Sequence, residues 1–324
     1  MSDTPDISRS GPGISRADGI TESERYLRKL CDRTFLSLWS YPNVYRDQRG
    51  SSKGDGKELC DLLVVFENHV IIFSDKDCAF PNSGDLTKDW SRWFRRAVVK
   101  SADQVWGAER WIKSHPDLLF VDRACEHRFP IDLPDPEKAV FHRIVVAHDS
   151  SDRCRQEFGG GSGSLMIDST ITGTAHHEPS PRGGIRPFAV GDLDPDKGYV
   201  HVLDDTTLDI VMSTLDTITD FVQYLARKEA LMRSGRAVFA AGEEDLLAFY
   251  LSDLDENEQY AFVIPPDIEG MFIEEGYWQD FKHSPQRKAQ LEADEVSYVW
   301  DALIEQFNKH IKRYPVLHIS RWRR

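Results

Sequence analysis

The chain has 324 residues, 40% of them hydrophobic, and 54 Asp and Glu against 40 Lys and Arg give it a formal net charge of −14. That apolar content is enough for a sizeable core in two domains, or in one large domain with an appendage. The acid excess excludes a general nucleic-acid coat, which depends on basic footprints that release counterions.

Residues 1–19, rich in Ser, Gly, Pro and Asp, read as a disordered lead-in. With no apolar run near span length and no basic-then-apolar leader, neither membrane insertion nor secretion is expected, and the protein is read as cytoplasmic. The cysteines Cys31, Cys60, Cys78, Cys125 and Cys154 are odd in number and widely spaced, which fits reduced thiols. Thr21-Glu22-Ser23-Glu24 opens a helix, and Thr21 and Glu24 have the spacing of a capping box.

Next comes Lys57-Glu-Leu-Cys-Asp-Leu-Leu-Val-Val-Phe-Glu-Asn-His-Val-Ile-Ile-Phe-Ser-Asp-Lys-Asp77, two apolar runs around a short polar turn. This is a hairpin pattern. With Glu67 and Asn68 as a two-residue loop, Phe66 pairs with His69 and Asp61 lies opposite Ser74. Alternation then puts Asp61, Ser74 and Lys76 on one face, with Asp75 pointing away. A three-residue loop would bring Asp75 beside Asp61 instead. Charges at strand ends are ordinarily solvated, but an acid and a lysine facing each other across paired strands can hold a divalent cation beside an attacking water.

Residues 88–100 have a helical pattern in which Lys88, Arg92, Arg96 and Lys100 form a stripe, with Trp93, Phe94, Ala97 and Val98 largely off it. Such a stripe is either a solvated face or a phosphate-binding one. Residues 101–112, with Gln104, read as a second helix, and 118–129 and 139–148 as strands. The Gly- and Pro-rich stretches within 151–187 read as a flexible connector. Its glycine run at 159–164 is not a phosphate loop, because no Gly-Lys-Ser/Thr follows, and His176-His177 lacks partners at metal-ligand spacing. Beyond it, 199–202 and 210–212 suggest short strands, while 215–232, 243–251 and 287–314 suggest helices. Between Arg236 and Lys282 stand twelve Asp or Glu and no Lys or Arg. That run is a solvated acidic surface or a docking surface for a basic partner.

The order of parts (an acidic helix, the Asp61 strand, the Lys76 strand, an amphipathic helix) resembles the PD-(D/E)xK, restriction-endonuclease-like nuclease superfamily, especially its RecB-like and resolvase-like branches. The resemblance covers roughly residues 20–115. It implies an α/β fold: a nuclease-like mixed sheet flanked by helices over 20–150, followed after the connector by a mainly helical domain over 188–324. It makes Asp61 the metal-binding acid and Lys76 the residue that orients or activates water. Ser74 stands where the family has Asp or Glu, so the second acid must come from Glu24, Asp77, Asp85 or Asp89. Glu24 is the choice, since a helix-one acid completes the site in RecB-like relatives, and Gln104 resembles the Gln that they place after the lysine strand. The implied cofactor is Mg²⁺, with Mn²⁺ as a substitute, held by Asp61, Glu24 and the backbone carbonyl of Asp75. The implied activity is hydrolysis of DNA phosphodiesters by an endonuclease, in bacterial defence against foreign DNA. The alternative, favoured by the Ser74 departure, is a non-catalytic module that meets a protein partner through the acidic segment 237–281.

Overall fold

The Glu67-Asn68 connection fixes how the N-terminal strands pair. The computed structural model describes residues 18–47, 56–179 and 183–313; residues 1–17 of the expected lead-in lie outside them. Helix α1 (Glu22–Thr34) and the short α2 (Leu36–Trp39) lead into β1 (Ser40–Arg46), β2 (Lys57–Phe66) and β3 (His69–Lys76). β2 and β3 pair antiparallel from Phe66↔His69 to Leu62↔Phe73, the register of a two-residue loop. Glu67 takes the turn at a φ of 51°. β1 pairs antiparallel with β2 on the other side.

Helix α3 (Leu86–Phe94) passes through a π-helical turn at Arg95–Val99 into α4 (Lys100–Ser114), followed by β4 (Leu119–Phe120) and β5 (Val140–Ala147). β5 returns parallel to β3. α5 (Ser151–Phe158), β6 (Met166–Thr172), β7 (Ala189–Asp192) and β8 (Val200–Leu203) follow. β8 joins parallel to β5, completing a six-stranded sheet of order β4-β1-β2-β3-β5-β8. The remaining elements are α6 (Thr207–Thr214), α7 (Ile218–Met232), β9 (Ala237–Ala240), α8 (Glu243–Ser252), β10 (Gly270–Ile273), α9 (Tyr277–His283) and α10 (Pro285–Arg313). A second sheet has the order β10-β9-β6-β7. The fold is therefore mixed α/β, with helices flanking the large sheet and a mainly helical C-terminal part. No helix among the described residues is long and apolar enough to cross a membrane.

Period-two alternation sorts the large sheet's side chains onto two faces. Leu63, Val65, Val70 and Ile72 pack under Trp90, Trp93, Phe94, Ala97, Val98 and Val105 of the α3–α4 run. Leu62, Val64, Ile71 and Phe73 face the other way, against Leu27 and Cys31 of α1 and against Leu208, Phe221, Tyr224, Leu247, Tyr250 and Trp278 from the C-terminal helices. The two halves thus share one core. Residues 151–187, read as a connector, carry α5 and β6, and the buried His176 is structural. Its Nδ1 meets the Gly173 carbonyl (2.7 Å), its Nε2 accepts the Gly191 N–H (2.9 Å), and its backbone carbonyl accepts the Trp90 indole N–H (2.7 Å).

Residues 210–212 lie in α6 rather than in a strand. The buried Asp204 accepts the N–H groups of Thr206 and Thr207 (both 2.9 Å) and so starts the helix. Leu208, Val211 and Met212 then reach the core at helical spacing. Nor is the acidic run wholly surface: Glu243, Glu244 and Asp245 are buried, Glu243 pairing with the buried Lys228 and accepting the Tyr224 hydroxyl (2.7 Å).

Phe221 is fully buried, edge-on to Phe35 at 5.1 Å and stacked at 6.5 Å on Phe73 of the N-terminal sheet. Phe221→Ala is expected to cost about 3–5 kcal/mol, lost in a single cooperative transition in urea that far-UV and tryptophan signals both follow. Two separate transitions would show that the halves do not share a core.

Candidate active site

Asp61 sits where three strands meet. The pairs Pro42↔Leu62 and Val44↔Cys60 bracket it on the β1 side, which sets Asn43 beside it. Continuing the hairpin register sets Ser74 beside it on β3. The paired ladder ends at Leu62 and Phe73, and beyond that point the Asp61 carboxylate takes over, its Oδ2 accepting the Asp75 N–H at 2.7 Å. Asp61 is 8% exposed.

Asn43 has a φ of 49°, a left-handed conformation that Asn tolerates better than most residues. One residue later the β1–β2 register slips, so that Leu59 is skipped and Tyr45 pairs with Glu58. This bulge re-aims the strand end. The Asn43 Nδ2 donates to Glu24 Oε2 (3.1 Å) and to Glu58 Oε1 (2.9 Å), while its Oδ1 is buried without a hydrogen bond. Glu24 also completes the capping box of α1: its Oε2 accepts the N-cap Thr21 N–H (3.4 Å), and the Ile20 N–H as well (2.7 Å), while its own N–H is capped by the Thr21 hydroxyl (3.1 Å). Capping and membership of the cluster are compatible in this residue.

Carboxylates gathered this closely disturb one another. Burial pushes the Asp61 carboxyl up to about 7; the Asp75 N–H opposes this, and the charges of Glu58, Glu24 and Asp75 add to it. Burial also raises Glu58, against the Asn43 hydrogen bond, with Glu24 adding to the rise and Arg123 and Lys76 opposing it. Lys76 is exposed at the end of β3 and makes no ion pair among the described residues. Its charge nevertheless reaches Glu58.

Alternation separates Ser74 and Lys76 from Asp75. The Ser74 hydroxyl donates to Gln104 Oε1 in the first turns of α4 (3.2 Å). The Asp75 carboxylate faces His148 Nε2 at 2.5 Å, and His148 Nδ1 faces Asp205 at 2.5 Å. With a carboxylate on each ring nitrogen, only the doubly protonated imidazole satisfies both. Burial opposes that charge, but the hydrogen bonds from Asp205 and Asp75 outweigh it and push His148 up to about 10. One oxygen of the Asp75 carboxylate is thus engaged by His148, while its buried Oδ2 makes no hydrogen bond.

Lys88, Arg92, Arg96 and Lys100 are all exposed. Lys88 pairs with Asp85, the N-cap of α3 (2.9 Å). Asp89 is buried and accepts from the N–H and the hydroxyl of Ser83 (both 2.7 Å). These two acids have local structural partners, and neither shares a hydrogen bond with the Asp61 cluster. Among the described residues no group of three or more His, Cys, Asp and Glu is arranged to hold a metal ion. Mg²⁺ asks for less, typically one or two carboxylates with water and phosphate completing its shell. The raised carboxyls and the unsatisfied Asn43 oxygen fit such a hard cation.

The residues that sequence reasoning did not reach are Asn43, Glu58, His148 and Asp205. Glu58 carried a usable signal, standing three positions before Asp61. Asn43 did not, because Pro42-Asn43 argues against a strand.

The raised Asp61 carboxyl makes a signed prediction. A group whose folded pKa exceeds its unfolded one contributes stability that is full below the unfolded value and lost as pH rises through the folded value. For Asp61 that window runs from about 4 to about 7. Without divalent cation, Asp61→Asn should leave the melting temperature nearly unchanged at pH 4 and raise it at pH 8, by an equivalent of about 2–4 kcal/mol. A pH-independent difference between variant and parent would mean that Asp61 is not held under this pressure.

The chain matches no family model, no curated protein and no solved structure, so the geometry of the Asp61 cluster carries the case for its chemistry.

Proposed function

We propose that the protein is a Mg²⁺-dependent nuclease of the PD-(D/E)xK type that cuts DNA internally. The observation that carries this reading is the meeting of Glu24 and Glu58 on the Asn43 amide beside the buried Asp61, on the hairpin that ends at Lys76. Glu24 and Glu58 make up for the acid missing at Ser74. Asp61 and Glu24 would hold Mg²⁺, or Mn²⁺ in its place, with the Asp75 carbonyl as a further oxygen. Once bound, the cation supplies charge neutralisation at the phosphoryl oxygens and a hydroxide near neutral pH. The exposed Lys76 ammonium orients the attacking water, whose oxygen bonds to phosphorus as the ester P–O bond breaks. Defence against foreign DNA is the role that such an enzyme would serve.

The Ser74–Gln104 hydrogen bond ties the start of α4 to the cluster. Lys100 lies one turn earlier on that helix, so the stripe from Lys88 to Lys100 leads away from the site as a track for the phosphate backbone. A second reading has one observation in its favour: no three-ligand metal group exists among the described residues. On that reading the same cluster is a relic, and the chain assembles with a protein partner through the acidic segment 237–281.

Plasmid cleavage with and without Mg²⁺ separates the two. Asp61→Ala should abolish cleavage with the fold retained, and Lys76→Ala should slow it by about a hundredfold or more with metal binding less affected. A purified chain that leaves plasmid intact in both Mg²⁺ and Mn²⁺ supports the partner-binding module instead. For the stripe, Arg92→Ala combined with Arg96→Ala should weaken DNA binding and flatten the slope of log affinity against log salt by about two. An unchanged slope would make the stripe a solvated helix face.

A further inference from the structure

Helix α10 has its polarity reversed for a surface helix, which ordinarily turns its apolar stripe to the core and its charges to water. Here Arg287 is buried, and Asp294, Asp301 and Glu305 are half-buried. Glu305 accepts the N–H and the hydroxyl of Ser37 on α2, the hydroxyl at 2.7 Å, and the Tyr298 hydroxyl donates to Asp216 (2.7 Å). Val299, Trp300 and Phe307 are by contrast 70%, 62% and 60% exposed, and Leu303 is exposed as well. Neighbouring apolar side chains of this size, left to water, mark an interaction surface.

Spacing identifies the kind of surface. Ala293, Val296, Trp300, Leu303, Phe307 and His310 follow one another at intervals of three and four, the a and d positions by which helices pair. Volume and charge then select the occupant. In a parallel pair of α10 helices each residue would meet its own equivalent, so Trp300 would crowd Trp300 while Ala293 faced Ala293 across a gap. In an antiparallel pair the a positions meet d positions instead. Trp300 then lies opposite Leu303, Phe307 opposite Val296 and Ala293 opposite His310, a larger residue against a smaller one in every layer. Glu292 and Arg313 hold the same place in the repeat, six or seven residues from the nearest equivalents and immediately before an a position. The antiparallel register brings Glu292 of one copy to the end where the other has Arg313, and two-fold symmetry repeats the match at the opposite end. In volume and in charge the face is complementary to itself.

We infer that α10 is a dimerisation helix, pairing antiparallel with α10 of a second copy of this chain through Trp300, Leu303 and Phe307. The inference does not depend on nuclease activity.

Sedimentation equilibrium of the full chain tests it. Between about 1 and 100 μM the mass should rise from that of one chain toward that of two. Trp300→Glu combined with Phe307→Glu, both at exposed positions, should weaken association about a hundredfold or more with the far-UV signal unchanged. Disulfide cross-linking under mild oxidation, with the parent chain as control, reads the register. Ala293→Cys combined with His310→Cys should link two chains, because these positions adjoin across the antiparallel seam. Neither single variant should, since equivalent positions then lie on the order of 25 Å apart along the helix axis. A single-chain mass up to about 100 μM, association unchanged by the two glutamates, cross-linking by Ala293→Cys alone, or none in the double cysteine variant overturns the assignment.

Discussion

Burying a carboxylate in an inner strand of a sheet costs several kcal/mol unless something compensates, and much of the N-terminal half is organised around that cost at Asp61. The hairpin ladder stops one pair short so that the Asp75 N–H can point at the carboxylate. β1 takes a left-handed residue and a bulge, which swing the Asn43 amide and Glu58 toward the same place. The first turn of α1 leans in through Glu24. Compensation stays incomplete, since burial and neighbouring acids still hold Asp61 well above its ordinary value. The groups that surround Asp61 thus leave its charge only partly compensated.

The legible part of this arrangement was the part governed by local periodicity. Alternation over 59–66 and 70–73 and a two-residue polar turn fix which residues oppose which, and the observed pairs follow that register. The helical pattern over 88–112 was also readable, although the π-helical turn at Arg95–Val99 inserted into it was not. What escaped depends on tertiary context. Pro42 and Asn43 disfavour strands in isolation, yet β1 forms because β2 pairs along it, with β4 joining only at Tyr45 and Arg46. Gly159 to Gly163 look like slack, yet the Ser162 N–H among them donates to the Glu275 carboxylate more than a hundred residues away. The acidic run looks like surface, yet Glu243 is matched by a lysine buried on another helix. In each case the partner is remote in sequence, where composition and spacing carry no information.

The C-terminal half is correspondingly more than an appendage. Its helices supply the cover for one face of the large sheet, and its strand β8 closes that sheet's edge beyond β5. Long apolar side chains on α10, Val299, Trp300 and Phe307 among them, remain exposed.

The Asp75–His148–Asp205 chain runs across the trailing ends of three parallel strands: Asp75 on β3, His148 just past β5, and Asp205 just past β8. Because β8 comes after the second sheet has begun, Asp205, which holds the His148 ring against Asp75, is encoded far downstream of the hairpin. A segment that ended at residue 150 would carry Asp61, Asp75 and His148 but would leave Asp205, the carboxylate on the far side of the His148 ring, behind.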